Sequence, residues 1–234
     1  MIYYTTAQQE QALDEAVADL LEQLDLEGKS DYQKVLGVYD YITHNISYDY
    51  TNLNNDAYKL KYTAYAALIN KTAVCQGYAN LFYRLMLELG VDCRIITGIG
   101  NGGPHGWNIV CLEGKYYNLD ATWDAPPFGD YDWFLLSQEN FADHVRDAEY
   151  ETAAFHADYP MGTENYVPVK YGDVNADGAV DGNDATLLLQ YAAGWSVQID
   201  LRAGDVNADG AVDGNDATLL LQYAAGWNVT LGAA

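Results

Sequence analysis

Apolar residues recur at helical spacing in the N-terminal part of the chain: Leu13, Val17, Leu20, Leu21 and Leu24, then Val35, Leu36, Tyr39 and Ile42. Each run opens on a capping-box pair, Thr6 with Gln9 and Ser30 with Gln33, so the pattern predicts two amphipathic helices. A third helix is expected from about Asp56 to Asn70. A fourth is expected from about Gln76 to Leu89, where Leu81, Phe82, Leu85, Met86 and Leu89 share a face and Gly90 supplies the stop. From Asp92 the period shortens. Cys93–Gly98, Trp107–Leu112 and Lys115–Leu119 read as strands rich in β-formers, the last two joined at Glu113-Gly114. A further strand is expected over Tyr131–Leu136, ahead of a short helix holding Phe141 and His144. Helices first and an antiparallel meander second predict an α+β domain.

The periodicity lapses over 151–171, which contains Pro160, Gly162 and Pro168 and reads as a linker. It separates a domain over 1–150 from a module over 172–234. In the module, the letters of residues 172–195, GDVNADGAVDGNDATLLLQYAAGW, recur without a substitution at 204–227. Asp173, Asn175, Asp177, Asp181 and Asp184 fall at positions 1, 3, 5, 9 and 12 of a loop. Asp205, Asn207, Asp209, Asp213 and Asp216 do the same in the second copy. Ala179 and Ala211 stand at position 7, where a backbone carbonyl serves, and Gly178 and Gly210 at position 6, where the chain must turn sharply. Oxygen ligands at that spacing predict two Ca²⁺ ions.

Position 12 carries Asp, and Pro168 stands where an entering helix would need backbone donors, so each unit is a loop with an exit helix only. A duplicated loop-helix of this kind, with DATLLLQYAAG behind the loop, resembles type I dockerin modules. The resemblance implies a cohesin domain of a scaffoldin as partner. It also implies partner-reading positions at Gly182, Asn183, Leu189 and Gln190, with Gly214, Asn215, Leu221 and Gln222 in the second copy.

The charge agrees with that division and excludes two partner classes. The chain of 234 residues has a net charge of −23, and residues 170–234 hold nine Asp against one Lys and one Arg. Nucleic acid and anionic membrane both need positive charge, so neither is expected. No run of about 18 apolar residues is present to span a bilayer. The first residues, MIYYTTAQQEQ, carry no basic and apolar leader, so a signal peptide is expected to be absent from this chain.

Three cysteines make no disulfide framework, and an odd count in an exported protein leaves at least one thiol free. Cys75, in TAVCQGYANLF, immediately precedes the fourth helix, whose unpaired N–H groups favour an anion there. His105 in PHGWNIV heads one strand, and Asp120 in YYNLDATWD ends its hairpin partner. A turn at Glu113-Gly114 returns both to one end of a sheet, as a Cys-His-Asp triad requires. The segments CQGYANLFYRLMLELGVDCRIITG, HGWNIVCLEGKYYNLDATWD and VYDYITHNISYD resemble the transglutaminase-like core domain, a papain-like α+β fold. The resemblance implies Cys75 as nucleophile, His105 as base and Asp120 as orienting acid. The following tract, YDWFLLSQENFADH, matches the family's usual continuation. The Cys75 backbone N–H and, second, Tyr65 are candidate oxyanion donors, and Gly98–Pro104 and Asp124–Asp130 are loops expected to line a pocket.

Other residues of the same types read as structural. Cys93 and Cys111 lie on predicted strands and read as packed thiols, and His44, His144 and His156 read as structural, as a lone histidine beside a strand usually is. Trp107 and Trp123 are equally compatible with core and with an acyl site. The reading is an α+β transglutaminase-like domain with a small all-α calcium-binding dockerin. Its expected function is an extracellular, cellulosome- or cell-surface-held cysteine peptidase working through a thioester on protein or peptide, with no cofactor for catalysis. Transglutaminase or deamidase chemistry on the same thioester, and a non-catalytic binding module, are the alternatives.

Overall fold

The computed structural model describes residues 4–126 and 131–232. Their contacts divide into two units, Met1–Glu27 with Asp31–Tyr166, and Gly28–Ser30 with Val167–Ala234.

The first unit opens with α1 (Ala7–Leu24) and α2 (Asp31–Asn45). At the start of α1 the Thr6 hydroxyl accepts from the Gln9 N–H while the Gln9 side chain accepts from the Thr6 N–H. The helices bury Leu13, Val17 and Leu20, and Val35, Val38, Tyr39 and Ile42, respectively. Strand β1 (Ser47–Tyr48) follows. The single helix expected over 56–70 is instead a 3₁₀ turn, Lys59–Tyr62, and a short α3 (Ala64–Leu68). The Lys61 side chain causes the break. It is fully buried, and its Nζ donates to the carbonyls of Asn52, Leu53 and Asn55 at 2.6, 2.8 and 3.1 Å. Thr63 then takes extended backbone and caps α3 by accepting from the Ala66 N–H.

β2 (Thr72–Ala73) pairs parallel with β1 and leads directly into α4 (Cys75–Glu88). Gly90, at φ 72°, ends that helix. β3 (Cys93–Gly100), β4 (Gly103–Leu112), β5 (Lys115–Leu119) and β6 (His144–Arg146) form an antiparallel sheet in the order β5-β4-β3-β6. Glu113 and Gly114 both have positive φ, as the two-residue turn between β4 and β5 requires. Val110, Leu112, Leu119 and Cys93 join the helical core, while Trp107, Ile109, Ile96, Tyr116 and Phe141 form a second cluster. The expected pocket loop at Gly98–Pro104 is therefore a hairpin. Of the other, 124–130, residues 127–130 lie outside those described.

Three further expectations are corrected downstream. Residues 131–136 form no strand, only one bridge between Leu136 and Asn118. Phe141 ends a 3₁₀ turn, and His144 sits on β6, not on a helix. The stretch expected as a linker is folded as far as Tyr166. It contains α5 (Ala153–Asp158), and Phe155, Tyr159 and Met161 pack on the second cluster. Tyr166 hydrogen-bonds through its N–H to the Leu135 carbonyl.

In the second unit, α6 (Gly182–Ala192) packs against α8 (Gly214–Ala224), with α7 (Leu201–Gly204) between them in sequence. Val174, Leu188, Val206 and Leu220 are buried there with Ala185, Ala203 and Ala217. Among the described residues no helix is long and apolar enough to cross a membrane.

Candidate active site and calcium loops

Cys75 is the first residue of α4, partly exposed, with Val74 as the N-cap. The packing that places it leaves no room behind the helix. A Cβ on Gly77 would lie 2.6 Å from Ala73 Cβ and 2.8 Å from the Lys61 carbonyl. His105 comes from β4, which passes beside the start of α4. Its side chain lies against Gly100, where a Cβ would come within 2.9 Å of the ring.

His105 Nε2 hydrogen-bonds to Asp120 Oδ2 at 2.6 Å, and the ring is also within hydrogen-bond reach of the Cys75 side chain. The structure thus brings Cys75, His105 and Asp120 into one chain of contacts, with Nε2 on the carboxylate and Nδ1 left for the thiol. Burial opposes a charge on His105, but the hydrogen bonds to Asp120 and Cys75 and their negative charge outweigh it and raise its pKa to about 10. Burial also opposes a charge on Asp120, which is 1 % exposed. Hydrogen bonds from His105 and His144 win there and hold it at about 2.

His144, read from sequence as structural, is the residue that was missed. Its Nε2 lies 3.0 Å from the same Asp120 Oδ2, and its side chain is fully buried. The other carboxylate oxygen accepts from the Thr122 N–H at 2.9 Å and, less closely, from that of Trp123. Asp124 anchors the turn below: it accepts from the Tyr39 hydroxyl and the Trp133 N–H, and burial pushes its carboxyl up to about 6. Trp107 is 1 % exposed and belongs to the core beside His105. Trp123 is partly exposed and packs on both His105 and His144.

The tyrosine that faces the nucleophile is Tyr48, whose hydroxyl is within hydrogen-bond reach of the Cys75 backbone N–H. Only the β1–β2 pairing, Tyr48 opposite Ala73, brings it there. Burial, with the Cys75 side chain nearby, pushes its hydroxyl up to about 12, so it remains a donor. The other two thiols differ from Cys75 in setting. Cys93 is 0 % exposed and burial drives its thiol far up, and burial raises Cys111 as well.

The two loops of the second unit repeat in geometry as they do in sequence. Gly178 and Gly210 have φ of 86° and 88°, and Ala176 and Ala208 of 58° and 57°. Asp184 and Asp216 are fully buried, each accepting from two loop N–H groups, of Asn175 and Asp181 and of Asn207 and Asp213. Asp173 Oδ1 is buried with no hydrogen-bond partner. Buried carboxylates without a cationic partner, and an orphaned oxygen, fit a hard cation. Asp173, Asn175, Asp177, Ala179, Asp181 and Asp184 would hold it in one loop; Asp205, Asn207, Asp209, Ala211, Asp213 and Asp216 would do so in the other. Bound there, calcium would offset the mutual repulsion of the loop carboxylates.

Comparison with known proteins agrees with this division. Residues 18–121 match the family model of the transglutaminase-like superfamily, and residues 171–224 match the dockerin type I domain. The chain is an α+β transglutaminase-like core joined to a dockerin type I domain. It is 32 % identical over 137 residues to human kyphoscoliosis peptidase, covering 53 % of this chain and 20 % of that protein. The mouse protein of that name is 30 % identical over 125 residues, covering 48 % and 18 %. The chain therefore spans about a fifth of the length of these relatives. Among solved structures, a TGase is 23 % identical with TM-score 0.45, over 50 % of this chain and 34 % of that one. A candidate cysteine protease from Cytophaga hutchinsonii is 22 % identical with TM-score 0.39, over 55 % and 40 %. A chain of a CaDoc0917–CaCohA2 complex is 42 % identical with TM-score 0.24, over 25 % of this chain and 98 % of that one.

Proposed function

We propose that residues 1–150, with the packed segment up to Tyr166, form a cysteine peptidase, and that residues 172–234 attach it through calcium-loaded loops to a cohesin domain outside the cell. The observation that carries the reading is the His105 ring, held by buried Asp120 at 2.6 Å and within hydrogen-bond reach of a cysteine at a helix start. Cys75 Sγ, its proton passed to His105, attacks the carbonyl carbon of a peptide bond. The oxyanion is met by the Cys75 N–H and the Tyr48 hydroxyl. His105 then gives the proton to the departing amine, leaving a thioester on Cys75. Water, activated by His105, hydrolyses the thioester and frees the thiol. Asp120 holds the ring in the tautomer that leaves Nδ1 facing sulfur.

The dockerin match supports the cohesin partner and the extracellular setting. The contact positions lie at the start and on the outer face of each helix: Gly182, Asn183, Leu189 and Gln190, and Gly214, Asn215, Leu221 and Gln222. Leu189 and Leu221 are each 42 % exposed, whereas their neighbours Leu188 and Leu220 are buried.

The test is mass spectrometry of a denatured casein or gelatin digest by the purified protein, alongside Cys75→Ala. New peptide termini that vanish in the variant support a peptidase. Mass gains from an added amine, or glutamine-to-glutamate conversion without cleavage, would replace the peptidase with the transglutaminase or deamidase reading. No Cys75-dependent product of any kind would refute catalysis.

A further inference from the structure

The mechanism above uses one of the two imidazoles on Asp120. Both Nε2 atoms point at Oδ2, at 2.6 Å from His105 and 3.0 Å from His144, while backbone N–H groups occupy Oδ1. A carboxylate oxygen only accepts, so both rings carry their proton on Nε2. For His144 the other nitrogen confirms that tautomer: Nδ1 is buried without a hydrogen-bond partner, and a proton there would be buried unpaired. The ring is not free to turn. Phe141 stacks on it with centroids 3.9 Å apart, and Trp123, Trp107 and Trp133 surround it at 4.2, 4.9 and 5.2 Å. Its backbone is fixed opposite Gly100, the residue against which the His105 side chain lies.

We propose that His144 is a positioning residue, whose Nε2–H shares Asp120 Oδ2 with His105, fixing the carboxylate and drawing off part of its charge so that the His105 proton stays transferable. A carboxylate given wholly to one imidazole stabilises that ring's charged form more strongly and so holds back its Nδ1 proton; a second donor on the same oxygen weakens that hold. The consequence for turnover rests on the thiol-enzyme reading, because the proton in question is the one His105 must deliver to the leaving amine. The hydrogen-bond arrangement itself does not rest on it. The ligand atoms of His105, Asp120 and His144 lie within 4.8 Å of one another, which is also the spacing of a metal cradle. A metal would need both Nε2 atoms without protons, whereas 2.6 and 3.0 Å are hydrogen-bond separations.

The other ionisable groups facing this cluster are Cys75, Tyr48 and Tyr78, with Asp124 and Tyr39 beneath Asp120. None of them donates to Oδ2 among the described residues, so removing His144 leaves that oxygen to His105 alone. The experiment is histidine-labelled ¹⁵N NMR on the full chain, read as a pH titration of His105. His144→Phe keeps the ring volume without the donor, and His144→Gln keeps an N–H in the same place.

In the wild type, the neutral His144 ring is expected to show a protonated Nε2 and a bare Nδ1. In His144→Phe the His105 midpoint is expected to rise by about half to one pH unit, and His144→Gln should return it most of the way. A neutral His144 protonated at Nδ1, or both Nε2 protons missing until a chelator is added, would overturn the proposal. The wild-type spectrum decides this even if neither variant folds. A His105 midpoint that stays or falls in folded His144→Phe would overturn it too. Failure of the enzyme reading shows separately, as a Cys75 that iodoacetamide alkylates no faster than Cys93.

Discussion

Replacing Asp184 by Ala separates what this carboxylate does for the fold from what it does for a bound ion. Without metal it closes the first loop, Oδ1 accepting from the Asn175 N–H at 3.3 Å and Oδ2 from the Asp181 N–H at 2.9 Å, and so completes the capping box of α6. Losing a helix cap costs about 1 kcal/mol. With metal, position 12 is also a ligand, and a site bound at about a thousand times its Kd stabilises the folded unit by about 4 kcal/mol. The variant is therefore expected to lose about 5 kcal/mol in millimolar calcium, of which only about 1 persists in a chelator. The core here rests on four large apolar side chains and three alanines, so in chelator this unit should melt well below its calcium-loaded temperature while the first unit's transition is unmoved. Isothermal titration calorimetry on the full chain should give two ions for the wild type and one for the variant, with differential scanning calorimetry reporting the melting. A stoichiometry of two in Asp184→Ala, or a second unit whose melting ignores chelator, would refute the calcium assignment.

Iodoacetamide should label Cys75 ahead of Cys93 and Cys111, and His105→Ala should slow that labelling at neutral pH; peptide mapping reads both, and Cys93 labelling first would refute the nucleophile. Gly77→Ala should cost about 1–3 kcal/mol in a urea melt, because its Cβ would meet Ala73 Cβ at 2.6 Å and the Lys61 carbonyl at 2.8 Å. His105, raised to about 10 from 6.5, contributes stability that is complete below pH 6.5 and lost as pH rises through 10. The first unit's urea midpoint should therefore fall over that range, and fall less in His105→Ala; equal falls would refute the pairing. Charged residues at Asn183 and Gln190, or at Asn215 and Gln222, should each change cohesin affinity only about twofold, while all four together abolish binding. Calorimetry against a cohesin checks this, and a large loss from one copy alone would show that a single face is used.

What could be read from sequence was what neighbours along the chain decide. The apolar stripe of α1, the run after Gly90 and the two-residue turn at Glu113-Gly114 are local, and so is the start of α4 at Cys75. The readings that failed depended on distant partners. Nothing near residue 61 announces that its ammonium will be buried against the Asn52, Leu53 and Asn55 carbonyls, yet that contact breaks the helix expected over 56–70. Residues 151–166 looked aperiodic because bridging to Tyr116 and aromatic packing, not a repeating face, order them. His144 stood in a tract noted only for its family likeness, and pairing with Gly100 is what carries it to Asp120. Tyr48 likewise reaches Cys75 only across the β1–β2 pair.

The letter-perfect repeat has a consequence for assembly. Since α6 and α8 have the same sequence and pack on each other, their contact holds no information about which copy, or which molecule, supplies either helix. A helix from a second chain offers the same side chains in the same order. What favours the closed monomer is proximity along the chain, the short stretch from 196 to 203 that keeps one copy at high effective concentration near the other. Fidelity in this half of the molecule is thus set by that tether, and shortening it until the two helices of one chain could no longer meet would convert it into an exchanged dimer.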